Sequence, residues 1–418
     1  MQGVRDGFLA YLGFKMDPYL KKCLPVIRRP FVNFPLLHCH PYSWLKETDL
    51  PVTLDQTWGR IHFYVNFGLC MSYTFFVICR TDQIYSDPAA SLVDKFYLAF
   101  MSAIYLGMTN FCVAAVRSRN TFVPFLRRYI RFLRNVENAG QTCTTSSPNR
   151  VKLCWLLTMS SFNSFWLVLV AIAALNVVRP SSPEFFSSLF LSSVQQEGES
   201  IWLRAMVTLM SSTFQVYVLI CYVQVLEPIF GPILLFMFTL SDITGGQKQC
   251  KLGACSNRLE AIQNAGIKLY RELQLLTDEY NNLLALFHAV QHGILVTFLT
   301  LCVYIFVRTE GIMAALAAYM GIWLLPCYCE IINNYAEIQI GSRTFLESLQ
   351  ETVPVRRSRI WIRTGRAGSV AAIIRGELRS LRELHIKGGS SAFYFDKQLV
   401  LTVIHIIVNQ SISLLLIT

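Results

Sequence analysis

The chain has 418 residues, of which 53% are hydrophobic and only 15% charged, with a mean hydropathy of +0.42. That balance excludes an ordinary soluble domain and points to a chain that crosses a lipid bilayer several times. The formal net charge of +11 would suit a nucleic-acid binder, but the basic residues gather in alternate loops rather than in one patch, so no nucleic acid is expected as a partner.

From the N-terminus, Met1 to Arg60 holds Pro18, Pro25, Pro30, Pro35, Pro41 and Pro51 and predicts an irregular segment with short helices. It lacks the basic, apolar and small-residue order of a secretory signal, so the first span is expected to direct insertion. Apolar runs of bilayer-spanning length follow at Ile61–Cys79, Phe96–Val116, Leu153–Val178, Ile201–Leu226, Leu286–Val307, Ile312–Ile332 and Leu399–Ile417. After span two, Arg127, Arg128, Arg131 and Arg134 alternate with Phe125, Leu126, Ile130, Phe132 and Leu133, the pattern of a basic amphipathic helix lying on an anionic leaflet. From Cys255 to Leu286 apolar residues recur at helical spacing, with Leu259, Ile262, Leu269, Leu273, Leu276, Tyr280 and Leu283 on one side, and run unbroken into span five. Span six is expected to continue through Asn333 to Leu349. A short helix from Ser369 to His385 is expected before the last span.

Lys and Arg number eight before the first span, eight from Arg117 to Lys152, five from Lys248 to Arg271 and ten from Arg343 to Lys387, whereas the other loops hold Arg80, Lys95, Arg179 and Arg308. The positive-inside rule then puts the N-terminus in the cytoplasm and, after seven spans, the C-terminus outside. The outer loops carry Asp82, Asp87, Glu184, Glu197, Glu199 and Glu310, a weakly negative surface. The fold class is an all-α membrane protein with seven transmembrane helices and a cytoplasmic helical anchor built from extensions around spans four to seven. Its parts are a cytoplasmic segment 1–60, spans one to four in 61–240, a helical extension 241–285, spans five and six in 286–332, an anchor region 333–395 and the last span 396–418.

This orientation is the reverse of a G-protein-coupled receptor's, and span seven has no Asn-Pro pair. A transporter is the stronger rival, since Pro228 and Pro232 beside span four could mark a broken helix, although an odd span count without internal repeats opposes it. Nothing suggests an enzyme: neither a Gly-rich phosphate loop nor a nucleophile elbow is present. Most of the thirteen cysteines, including Cys70, Cys79, Cys112, Cys154, Cys221, Cys302, Cys327 and Cys329, read as small buried hydrophobes. Cys250 and Cys255 lack the partners that would complete a metal site, and no cofactor is expected.

The last span carries one polar stripe. At 100° per residue, Gln398, Thr402, His405, Asn409, Ser413 and Leu416 fall on a single narrow face, and most of the remainder is Val, Ile and Leu. Hydrocarbon cannot satisfy such groups, so that face must meet water or other helices.

Seven spans, an inner N-terminus, long cytoplasmic helices around spans five to seven and a chain that ends with its last span together resemble the arthropod gustatory and odorant receptors. The run Ala392-Phe393-Tyr394-Phe395-Asp396-Lys397-Gln398-Leu399-Val400 is similar to the one that opens the seventh span of the gustatory receptors, the type favoured here. In that register the family's terminal Thr-Tyr, five apolar residues, Gln-Phe falls on Asn409-Gln410, Ser411 to Leu415 and Leu416-Ile417. None of the four signature residues is retained, so the resemblance is to a divergent member.

The resemblance implies a multi-pass plasma-membrane protein of sensory neurons, acting as a ligand-gated, non-selective cation channel of four like or unlike subunits. The last helix would line the pore, with Gln398, Thr402, His405, Asn409 and Ser413 wetting it and Leu416 closing it. A small-molecule tastant or odorant would bind among the outer halves of spans two to six. Those halves hold Tyr97, Phe100, Met101, Tyr105, Trp166, Asn176, Trp202, Met206, Met210, Tyr304 and Tyr319, an aromatic and Met-rich set that suits a small organic ligand.

Overall fold

The computed structural model describes residues 14–15, 24, 27–28, 31, 39–45, 50–54, 57–138, 142–143, 167, 170–172, 174–176, 181–183, 185–188, 201–245, 259–355, 376–389 and 393–417. Among the described residues seven helices carry the fold: α1 (Thr57–Ser86), α2 (Leu92–Arg117), α3 (Phe122–Asn138), α4 (Ile201–Gly245), α5 (Leu259–Arg308), α6 (Ile312–Val355) and α7 (Lys397–Ile417). All but α3 are long and apolar enough to cross a bilayer, six among the described residues. They contain the expected spans one, two and four to seven. Most of span three lies outside the described residues; its described positions 167, 170–172 and 174–176 are helical.

The helix ends follow local chemistry. Ser91 caps α2, its hydroxyl accepting from the Asp94 amide at 3.1 Å and donating to the Asp94 carboxylate at 2.6 Å, so two groups of the first turn are satisfied at once. Asp396 does the same for α7, its Oδ1 accepting from the Leu399 amide at 2.9 Å. Pro228 and Pro232 lie inside α4, which runs through both without a break. The surroundings compensate: Leu226, Ile229, Ile233 and Leu234 are at most 5% exposed, and neighbouring helices can hold a proline-containing helix straight where water would not. The broken helix expected of a transporter is not found there.

Two N-terminal strands, Tyr42–Leu45 and Leu50–Thr53, pair antiparallel where the sequence predicts only irregular chain and short helices. Tyr42 and Trp44 point inward and Leu45 outward, the period of two that a hairpin requires. The Tyr42 hydroxyl donates to the Ala115 carbonyl at 3.2 Å, and the Arg127 guanidinium donates to the Pro51 carbonyl at 2.7 Å. The hairpin is thereby fixed against α2 and α3.

The basic helix α3 differs from its expected place. Its apolar face is packed on protein, with Phe125 against Phe236 of α4 at 5.3 Å and Tyr129 donating to the Leu235 carbonyl at 3.2 Å. Phe122, Leu126, Ile130 and Leu133 are wholly buried. Amphipathic periodicity announces that one face will be covered but not by what.

α4 and α6 meet closely at Gly341, where an added Cβ would lie 2.7 Å from Thr244 Oγ1 and 2.9 Å from the Thr244 carbonyl carbon. Backbone cannot rotate aside, so Gly341→Ala is expected to lower thermal stability by about 1–3 kcal/mol. At Gly321 the added atom would lie 3.6 Å from Cys302 Cβ, an ordinary contact. Melting of Gly341→Ala alongside Gly321→Ala, which should behave as the parent, checks the distinction.

The approach to α7 is threaded between the extensions of α5 and α6. Tyr270 donates to the Arg382 carbonyl at 2.9 Å, Asn281 to the His385 carbonyl at 2.8 Å, and the Lys387 amide to Asn281 at 3.0 Å. The Leu384 amide donates to Ser342 at 3.0 Å and the Gly389 amide to the Ala285 carbonyl at 2.7 Å. Gly389 sits at φ 78°, a conformation that glycine adopts without strain. Residues 381–386 are consequently not helical, unlike the helix expected to reach His385. Backbone groups of Arg382, Leu384 and His385 bond across to α5 and α6.

Arg343 closes this seam with a two-pronged pair to Glu383, at 2.9 and 3.1 Å. Its guanidinium holds the Glu383 carboxyl below the usual carboxylate range. A lowered acid stabilises above its unfolded value and loses that contribution as pH falls through the folded one. The effect is small because both groups are solvated. Glu383→Gln should flatten the acid limb of melting temperature against pH below about pH 5 and leave neutral stability almost unchanged.

Candidate pore face and ligand cavity

α7 buries one narrow side. Val403, Ile407 and Ser411 are its buried residues, lying against α5 and α6, and Thr300 of α5 donates to Gln410 at 3.3 Å. Near its C-terminal end the Arg308 guanidinium donates to the Leu415 carbonyl at 2.9 Å. A cation at that end also complements the helix dipole.

All six stripe residues, Gln398, Thr402, His405, Asn409, Ser413 and Leu416, are exposed, Leu416 to 81%. Among the described residues, the hydrogen bonds made by their side chains stay within α7: Thr402 donates to the Gln398 carbonyl at 3.0 Å, and Asn409 pairs with His405 at 2.8 Å. The stripe thus takes no part in packing this bundle.

The polar face begins just beyond an aromatic cage. Phe395, 4% exposed, lies with its ring centroid 4.8 Å from Tyr335 of α6 and 6.1 Å from both His288 and His292 of α5. Tyr280 and His288 share a 2.8 Å hydrogen bond beneath it, and Tyr328 bonds His292. The Phe-Asp pair at 395–396 therefore has a physical meaning: the ring anchors the chain and the carboxylate starts the helix.

The candidate ligand residues divide into three groups. Tyr105 and Asn176 belong to a closed polar network in which Gln215 donates to the Tyr105 hydroxyl at 3.2 Å and Asn176 donates to Gln215 at 2.9 Å and to Ser211 at 3.4 Å. Tyr73 flanks it, its ring 5.0 Å from that of Tyr105 and 6.0 Å from that of Phe214. Phe100 stacks on Phe298 at 4.9 Å and Met101 is fully buried, so both serve packing. Tyr304 is wholly buried beside Phe96 at 4.4 Å, and its hydroxyl has no hydrogen-bond partner among the described residues.

The second group faces away from the bundle. Trp202, Met206 and Met210 are 80%, 59% and 69% exposed on one face of α4, and Tyr319 is 37% exposed on α6. Trp166 lies outside the described residues.

Tyr97 lines a cavity of about 310 Å³ at the end of the bundle where α5 and α7 finish and α2 begins. Leu175, Phe185, Val93 and Met313 complete its apolar wall, and Asp94, Ser182, Arg308, Thr309 and Glu310 its polar one. Sequence reasoning passed over the polar members because they stand in helix ends and connecting loops. The signal available was that three charges, Asp94, Arg308 and Glu310, flank apolar spans at their ends.

No family model and no curated protein matches the chain. Solved structures do. The insect olfactory receptor OR5 of Machilis hrabei aligns over 96% of this chain and 98% of its own, with a TM-score of 0.59 at 11% sequence identity. The structure of that receptor in complex with eugenol aligns over the same shares, with a TM-score of 0.58 at 9% identity. This chain has the insect olfactory receptor fold. The arrangement of α1 to α7 is thus a membrane-protein fold shared over nearly the full length of both chains, while at this identity the side chains of pore face and cavity are the chain's own.

Proposed function

We propose that the chain is a chemosensory receptor of the insect gustatory and olfactory type, acting as one subunit of a ligand-gated, non-selective cation channel. Four copies, or copies with a related subunit, surround a pore faced by α7. The N-terminus is cytoplasmic, the extensions of α5 and α6 form the cytoplasmic anchor, and the cavity opens outward. The protein works in the plasma membrane of sensory neurons, where a small-molecule tastant or odorant binds among the outer ends of the helices.

The observation that carries this reading is the exposure of every stripe residue on a membrane helix. Polar groups facing hydrocarbon are costly, so a face whose side-chain hydrogen bonds among the described residues stay within its own helix calls for water or another subunit. The fold supports it, as does the eugenol complex of the olfactory receptor. The gustatory subtype rests on the Phe395-Asp396 run.

Whole-cell current in cells expressing this chain alone, challenged with sugars, bitter compounds and volatiles, tests the proposal. A ligand-evoked cation current that survives block of G-protein signalling is the expected result. A C-terminal tag reachable only after permeabilisation would overturn the orientation.

A further inference from the structure

We propose that the cavity bounded by α2, α5 and α6 takes a small organic ammonium. The assignment rests on the receptor reading for its link to current, but binding itself is separable from it. The volume of about 310 Å³ stands at the lower end of small-molecule pockets and admits an amine with a compact hydrocarbon body. Half-buried Tyr97 supplies the aromatic surface, with Phe185 and Leu175 buried behind it.

Charge decides the ligand's head group. The exposed rim carries two carboxylates, Asp94 and Glu310, against one guanidinium. That guanidinium, Arg308, already donates to the Leu415 carbonyl at the negative end of the α7 dipole. One oxygen of Asp94 takes the Ser91 hydroxyl at 2.6 Å. The rim is thus net negative over an aromatic wall, the combination that attracts an ammonium by Coulomb force and by the ring quadrupole together. An anion would meet both acids. A bare metal ion would meet an apolar floor, and no group of His, Cys, Asp and Glu among the described residues is arranged to hold one.

Two features of α5 tie the site to the rest of the fold. Tyr304 lies one helical turn before Arg308 on the same face, and its buried hydroxyl lacks a hydrogen-bond partner among the described residues. Arg308 itself joins the cavity wall to the last turn of α7. A cation bound beside Arg308 repels the guanidinium toward α7, which gives occupancy of the cavity a direct electrostatic route to the end of that helix.

The test uses full-length protein in lipid nanodiscs at neutral pH, with cyclohexylamine and its neutral isostere cyclohexanol as probes and melting temperature as the readout. Cyclohexylamine should stabilise saturably and bind about tenfold more tightly than cyclohexanol, a difference of one modest ion pair. Glu310→Gln should remove most of that preference while leaving the apo melting temperature unchanged. Asp94→Asn should weaken amine binding similarly, and its effect on the α2 cap is read separately in the apo protein. Equal binding of the two probes, absence of amine binding, or an amine preference untouched in both variants would overturn the assignment. Any of these leaves the channel reading intact, whereas a protein that binds amine selectively yet passes no current when expressed alone keeps the cavity and removes the homomeric channel.

Discussion

Asn409→Leu and Ser413→Leu are each expected to abolish ligand-evoked current without reducing delivery to the cell surface. Both side chains are exposed in the subunit, so neither replacement disturbs packing against α5 or α6. Asn409 gives up only its bond to His405 within α7. In a fourfold assembly, however, either change sets a ring of four leucines where amides or hydroxyls had held water, and a narrow apolar ring stops conduction by dewetting. Leu401→Asn, on an exposed part of α7 outside the stripe, serves as the comparison. Patch-clamp recording with surface biotinylation reads both quantities, and normal conductance in both leucine variants would remove α7 from the pore.

Phe395→Ala should produce the largest loss of stability among single changes near α7, about 2–4 kcal/mol. The ring is enclosed by Tyr335, His288 and His292, groups fixed on two long helices that cannot collapse into the space. Phe395→Leu keeps most of the volume and should recover more than half. Asp396→Ala, which removes only the helix cap, should cost about 1 kcal/mol. Fluorescence-detected melting of detergent-solubilised protein measures all three, and an unchanged Phe395→Ala melting point would mean that the cage does not hold the helix.

The sequence disclosed those parts of the molecule that depend on solvent. Six helices could be located because bilayer thickness sets their length and hydrocarbon sets their composition, and the stripe on α7 was visible because apolar surroundings make a polar residue conspicuous. Features that depend on distant residues were hidden. The hairpin of Tyr42–Leu45 and Leu50–Thr53 is too short, and too interrupted by Pro51, to show a strand period beyond doubt of a loop. The Phe-rich side of α3 reads equally as lipid-facing or protein-facing until Phe236 and Tyr280 are known to lie against Phe125. The cavity escaped for the same reason, since Asp94, Leu175, Phe185 and Glu310 meet only through tertiary structure. Tyr97 was found, but Trp202, Met206 and Met210 were chosen on composition and face outward on α4. Aromatic and Met residues mark packing, lipid contact and ligand contact alike.

α5 is a single helix of 50 residues, about 75 Å long at 1.5 Å per residue, reaching from the seam that holds residues 381–389 to the cavity rim at Arg308. A hydrogen-bonded rod of that length does not stretch, so a membrane of different thickness is met by tilting it. Its two ends carry different attachments, and tilt moves them in opposite directions. On the proposed receptor reading the bilayer becomes a mechanical input: a change of lipid thickness would alter the angle at which Arg308 meets the end of α7, and one ligand should then act with different potency in thin and thick membranes.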